Sequence, residues 1–156
     1  MPLALLGSAT RWRRIVILFL MPFTGFAGSA LKGYAFIEDD GTLRVRGKTV
    51  QLYGIHIPHT ARTCRRTERP AKCASRAALA LDFKVGTNFV ECTAHTPRGS
   101  RSLTATCHVD GEDLSAYLLA LGWAVALPDA PVEYIALEKI ARSRKLGFWG
   151  FPIGEF

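Results

Sequence analysis

Residues 39–59, DDGTLRVRGKTVQLYGIHIPH, constrain this chain more tightly than any other stretch of it. Asp39, Asp40 and Gly41 carry turn chemistry: aspartate side chains bond nearby backbone, and glycine tolerates a positive φ. Leu43 and Val45 then alternate with Arg44 and Arg46, the period of two required of a strand with one buried face. Gly47 and Lys48 interrupt the run, and Val50, Leu52 and Ile55 resume the apolar rhythm. Pro58 closes the second strand, because a residue without an N–H cannot extend a ladder. The stretch therefore reads as a β-hairpin that ends in a turn.

Around this hairpin the remaining periodicities predict a small α+β domain. Residues 34–38, 42–46 and 49–55 are strand candidates. Residues 59–70, HTARTCRRTERP, form a polar, cationic loop. Ala74, Ala77, Ala78 and Leu81 recur at helical spacing, which predicts a helix over 72–83 ending before Gly86. Strands follow over 88–93 and 103–109, and Asp110-Gly111 marks a tight turn. Asp113 is placed to cap a helix carrying Leu114, Tyr117, Leu118 and Leu121 and stopping at Gly122. A short apolar strand is expected over 123–127. Asp129 is the expected cap of a last helix, with Pro131 in its first turn, Val132, Ile135, Leu137 and Ile140 as its apolar positions, and Gly147 as its end. Phe83, Phe89, Trp123, Phe148 and Trp149 stand in apolar, core-like contexts.

The first thirty residues differ from the rest. Arg11, Arg13 and Arg14 precede the apolar run 15–23, and Gly25, Ala27, Gly28, Ser29 and Ala30 follow it, with no acid before Glu38. A basic start, a short apolar middle and a small-residue exit describe a secretory signal peptide. A spanning helix needs about 20 apolar residues, and this run is shorter and holds Pro22. The expectation is a leader over 1–30, cleaved near Ala27 or Ala30, ahead of a domain over 31–156, and an exported product, periplasmic or secreted. A retained leader would instead make a membrane-tethered interaction module. Loss of the leader removes three arginines and no acids, so the formal charge falls from +7 to +4. That balance favours an anionic partner without naming one.

Cys64, Cys73, Cys92 and Cys107 are an even set behind a secretory leader, which points to disulfides. Of the three possible pairings, Cys64–Cys73 would staple the cationic loop, and Cys92–Cys107 would join two strands. A metal site is disfavoured because no C-x-x-C occurs.

Three segments together, in this order and spacing, resemble one known family. They are the hairpin, G-E-D-L-x-A-x-L-L-x-x-G-W-A at 111–124, and E-x-x-A-R-x-x-x-x-G-F-W-G, which contains Glu138, Ala141, Arg142, Gly147, Phe148 and Trp149 and ends at Gly150. The chain is similar, over residues 34–150, to the thermonuclease (staphylococcal-nuclease-like) proteins, which carry D-G-D-T before the first strand pair and R-L-x-G-I-D-x-P-E after it. The resemblance implies a five-stranded OB-type β-barrel with packed helices. It also implies phosphodiester cleavage with calcium, a hard cation held by oxygen ligands, and two arginines that neutralise phosphate charge.

Carried over position by position, that chemistry is largely missing. The second aspartate of D-G-D falls on Gly41, the first arginine on Gln51, the aspartate of G-I-D on His56 and the following glutamate on His59. The second arginine falls on Ser102, or on Arg101 with a one-residue shift, and the base-stacking aromatics fall on Leu127 and Pro128. The expected protein is thus thermonuclease-like in fold and degenerate in catalysis, with calcium and its ligand set lost and a nucleic-acid-binding or structural role retained. A rearranged nuclease site would draw on Asp40, His56, His59 and Arg101. The same Asp40, His56 and His59 are the candidate metal ligands, because imidazole suits zinc, copper or nickel. Arg62, Arg65, Arg66, Arg98 and Arg101 are the candidate contacts to single-stranded nucleic acid, since OB-type barrels bind single strands along basic grooves. His95 and His108 sit in no motif.

Overall fold

The computed structural model describes residues 30–58, 73–96 and 102–150. They form an α+β fold in which a strongly curved, barrel-like sheet is covered by three helices. The strands are β1 (Ala30–Gly33), β2 (Ala35–Ile37), β3 (Leu43–Val45), β4 (Lys48–Leu52), β5 (Ile55–His56), β6 (Val90–Ala94), β7 (Ser102–Val109), β8 (Glu112–Asp113) and β9 (Val125–Ala126). The helices are α1 (Cys73–Val85), α2 (Leu114–Leu121) and α3 (Val132–Ser143), and a 3₁₀ turn spans Gly147–Gly150.

The main sheet runs β1-β6-β7-β4-β3-β2, with β8 beside β7. A single residue, Tyr34, separates β1 from β2, so the two ends of this order are arms of one bent strand. One arm pairs with β6 and the other with β3. Gly33, buried at the bend, lets the arms fold over: a Cβ there would stand 3.0 Å from Arg46 Cγ. The strand expected over 34–38 therefore starts earlier, at Ala30, which pairs with Thr93 next to the expected cleavage site. All contacts within the sheet are antiparallel except β4 with β7, which run parallel in the register Gln51↔Thr104 and Leu52↔Ala105.

Local chemistry accounts for the hairpin. Arg46 and Gly47 both take positive φ, 49° and 77°, between the paired residues Val45 and Lys48. Two such residues make the mirror-type turn whose twist suits a two-residue hairpin. Asp110 and Gly111 repeat it between β7 and β8, with φ of 51° and 80°. The expected third strand over 49–55 is split, because Gly54 turns the chain at φ 72°. Its second part, β5, leaves the main sheet to pair with β9.

Leu43, Val45, Val50, Leu81, Val90, Leu114, Leu118 and Leu119 form the fully buried core. On α1 the inward stripe is Ala77, Leu81 and Val85, spaced by four residues. Cys92 and Cys107 are register partners on β6 and β7, both buried, and are joined by a disulfide with Cα atoms 4.0 Å apart. This confirms the second of the expected bridges. Cys64 lies outside the described residues, and with it the Cys64–Cys73 bridge. Among the described residues no helix is long and apolar enough to cross a membrane.

Three local expectations are corrected. Asp129 does not cap α3: Pro131 is the N-cap, with an extended ψ of 146° and no side-chain bond. The helix ends at Ser143 rather than at Gly147, because Lys145 turns left-handed at φ 55° and the Leu146 amide closes back on Ala141. Its buried face is Tyr134, Leu137 and Ala141, whereas Val132 and Ile140 face solvent. Finally, Phe83 and Phe89 are not core residues, being 79% and 50% exposed. Phe83 sits on α1 away from the Ala77–Leu81–Val85 stripe, and Phe89 precedes β6 outside the barrel.

Candidate functional site

A cavity of about 360 Å³ opens where the 38–42 turn, the end of β4, β5, β7 and the 127–129 segment converge. It gathers Asp40, Gly41, Gln51 and His56, four of the positions singled out in the sequence, from two ends of the hairpin. The parallel β4–β7 pairing adds Thr104 opposite Gln51, on the side of the sheet facing away from Leu52 and Ala105. Tyr53 and Asp129 complete its polar lining.

The first carboxylate is engaged in shaping its turn. Asp40 Oδ1 accepts from the Thr42 amide at 2.9 Å and the Thr42 hydroxyl at 2.7 Å. Gly41, at φ 83°, is buried behind it. A Cβ on Gly41 would overlap the δ-methyl of Ile57. The place a metal-binding carboxylate would start from is thus filled by an apolar side chain. Gln51 and His56 supply an amide and an imidazole where the resemblance calls for an arginine and a carboxylate. Among the described residues no three His, Cys, Asp or Glu side chains are grouped to hold a metal ion. The carboxylates that line the cavity are Asp40, engaged with Thr42, and Asp129.

The wall at Tyr53 and Gly54 is rigidly anchored. The Tyr53 amide donates to the Ala105 carbonyl at 2.9 Å, and buried Ser115 donates its hydroxyl to the Tyr53 carbonyl at 3.0 Å. Leu127 donates its amide to the Gly54 carbonyl at 2.9 Å. Gly54 lies flat against Tyr134, whose ring would stand 3.0 Å from any Cβ there. Tyr134 in turn donates its hydroxyl to Asp113 Oδ2, while Asp113 Oδ1 caps α2 through the Ser115 amide at 2.7 Å. Burial first, and then the bond to Asp113, push the Tyr134 phenol above its ordinary range. Asp113 is therefore both the expected helix cap and the tie between α2 and α3.

Sequence reasoning missed Tyr53, Thr104 and Asp129 as cavity residues. It also passed over His95, which stacks on Tyr53 with centroids 4.0 Å apart and shares a 2.8 Å bond with the Thr106 hydroxyl. His95 stands outside any motif because its role depends on the β6–β7 pairing. Arg62, Arg65, Arg66, Arg98, Arg101 and His59 lie outside the described residues.

The two C-terminal motifs turn out to be one packed joint. Gly122 and Gly147, at φ 72° and 55°, meet back to back: a Cβ on either would overlap the other segment's backbone. The Phe148 amide donates to the Gly122 carbonyl at 3.0 Å. Glu138 accepts from the Ala126 amide at 2.8 Å and pairs with Arg142, which lies over the Trp149 ring. These residues brace β9 and the floor of the cavity.

No family model matches the chain. It is 30% identical over 153 residues to the succinoglycan biosynthesis protein ExoI of Rhizobium meliloti (strain 1021), an alignment covering 94% of this chain and 80% of that protein. At that identity and coverage, this chain belongs to the family of the succinoglycan biosynthesis protein ExoI.

Proposed function

We propose that this protein is an exported, thermonuclease-like domain that has lost phosphodiester cleavage and serves glycan biosynthesis in a binding or structural role. The observation that carries the noncatalytic reading is the Gly41–Ile57 contact, which fills the cavity where a ligand carboxylate would reach in. The thermonuclease-like identity is supported by strand order. With β1 and β2 taken as one bent strand, the barrel runs through five strand paths, β1/β2-β3-β4-β7-β6, with one parallel pair, the arrangement expected of an OB-type barrel. The tie to glycan biosynthesis comes from the name of the similar Rhizobium protein, a succinoglycan biosynthesis protein. The leader-like sequence of residues 1–30 supports export, as does the buried Cys92–Cys107 disulfide, a bond that persists in oxidising compartments. Single-stranded nucleic acid remains the anionic partner to test, through Arg62, Arg65, Arg66, Arg98 and Arg101.

The test is threefold. Purified mature protein is incubated with single-stranded DNA and RNA in millimolar calcium, and no EDTA-sensitive cleavage is expected. N-terminal sequencing of protein recovered from the cell envelope should begin near residues 28–31. Disruption of the gene should reduce secreted polysaccharide, and a catalytically silent protein should restore it.

A further inference from the structure

A second cleft, of about 530 Å³, is bordered by β1 and the turns before β6 and after β7. Phe89 forms one end, half exposed, with Tyr34 packed on it at 4.4 Å between centroids and itself 59% exposed. Phe36, two residues from Tyr34 along the bent strand, is 70% exposed. Phe89 lines the cleft, Tyr34 packs beside it, and Phe36 is a further exposed ring on the next arm of the bent strand. The paired Tyr34 and Phe89 rings leave apolar surface open to a ligand beside the cleft.

The polar lining says what would lie there. Asn88 donates to Asp110 at 3.0 Å, and Glu91 stands opposite His108 in the β6–β7 register while pairing with Lys32. The backbone that carries these groups is fixed: the Asn88 backbone N–H donates to the Val85 carbonyl at 2.9 Å, and Asp110 occupies a left-handed turn at φ 51°. Among the described residues Lys32 is the one lysine or arginine of this lining, and it already faces a carboxylate. Lys32 and Glu91 offset each other and Asp110 leaves the lining net negative, so the phosphate backbone of a nucleic acid is disfavoured on this face. A pyranose ring meets both demands. Its C–H faces lie on aromatic rings, and its rim hydroxyls bond in pairs to planar carboxylate and amide groups. When the hydroxyls are equatorial, as in gluco-configured units, the faces are flattest.

We infer that this cleft is a saccharide-binding site for gluco-configured oligosaccharides, with Phe89 and Tyr34 as the stacking platform and Asn88, Glu91 and Asp110 as the hydroxyl-binding rim. The site deepens the glycan-biosynthesis part of the proposed function but shares no residue with the cavity at Gly41. Failure here therefore leaves the digestion result untouched, and cleavage there leaves this site untouched.

The probe is a cello-oligosaccharide titrated into the ¹⁵N-labelled mature protein, with a thymidine oligonucleotide as the second titrant. Shifts confined to amides of residues 32–36, 88–91 and 108–111 are expected with the sugar, and none there with the oligonucleotide. Phe89→Ala should abolish the sugar-induced shifts or weaken binding severalfold. Phe89→Tyr should retain it, and thermal melts of both variants check that the fold is intact. Tyr34→Ala supplies an independent second loss. Absence of sugar-induced shifts, shifts that map to Tyr53, His56 and Thr104, an unchanged affinity in Phe89→Ala, or occupation of the cleft by the oligonucleotide would each overturn the assignment.

Discussion

The Cα of Gly41 faces the δ-methyl of Ile57 so closely that no side chain can start from residue 41 while Ile57 keeps its place. The proposed loss of cleavage rests on this contact. Gly41→Ala should lower stability by about 1–3 kcal/mol, from a Cβ at positive φ and from displacing Ile57. Ile57→Val removes the opposing methyl at a cost of about 0.5–1.5 kcal/mol. The double variant should then be more stable than the sum of the single losses implies. Urea unfolding of the four proteins measures that coupling, and strict additivity would mean that the two residues do not touch.

Gly122 and Gly147 face harder constraints, since the atoms they meet are backbone. Alanine at either position should cost about 3 kcal/mol or more, because left-handed strain adds to a clash that no rotamer change relieves. A loss below about 1 kcal/mol in a thermal melt would contradict the back-to-back packing.

Tyr134 links α3 to the α2 cap through Asp113. Tyr134→Phe should cost about 1.5–3 kcal/mol at neutral pH, as for a hydrogen bond to a charged group. The folded-state pKa lies above the ordinary value of 10.0, so the phenol's contribution is complete below that pH and is lost as pH rises past it. The advantage of the native protein over Tyr134→Phe should therefore shrink between neutral and strongly alkaline pH. An advantage that grew with pH would reverse the sign.

The Cys92–Cys107 bridge closes a separation of 15 residues between paired strands. Its reduction, or replacement of both cysteines by alanine, should lower stability by about 3 kcal/mol on the chain-entropy account. Matched urea curves with and without reductant read the difference directly.

What could be read from the sequence was local. The Asp113 cap, the Gly122 stop and the Asp110-Gly111 turn follow from side chains acting on backbone within a few residues, and each stands where expected. The Asp129 cap failed because Pro131 beside it starts the helix instead, with its ring against Gly54. The bend at Tyr34 was hidden because it depends on two partners, β3 and β6, far apart in the chain. The same holds for the cavity. Gly41, Gln51 and His56 share one hairpin and were found together, but Thr104 arrives through the parallel β4–β7 pairing and Asp129 through the loop before α3. Phe83 and Phe89 were misjudged because apolar character alone does not reveal which side of a helix or strand a ring occupies.

Loss of the calcium-dependent reaction is decided most directly by digestion. Mature protein, single-stranded DNA and millimolar calcium, followed with and without EDTA, should give identical intact substrate in both samples. Robust cleavage that EDTA abolishes, in preparations where a Gly41→Ala variant loses it, would contradict the account.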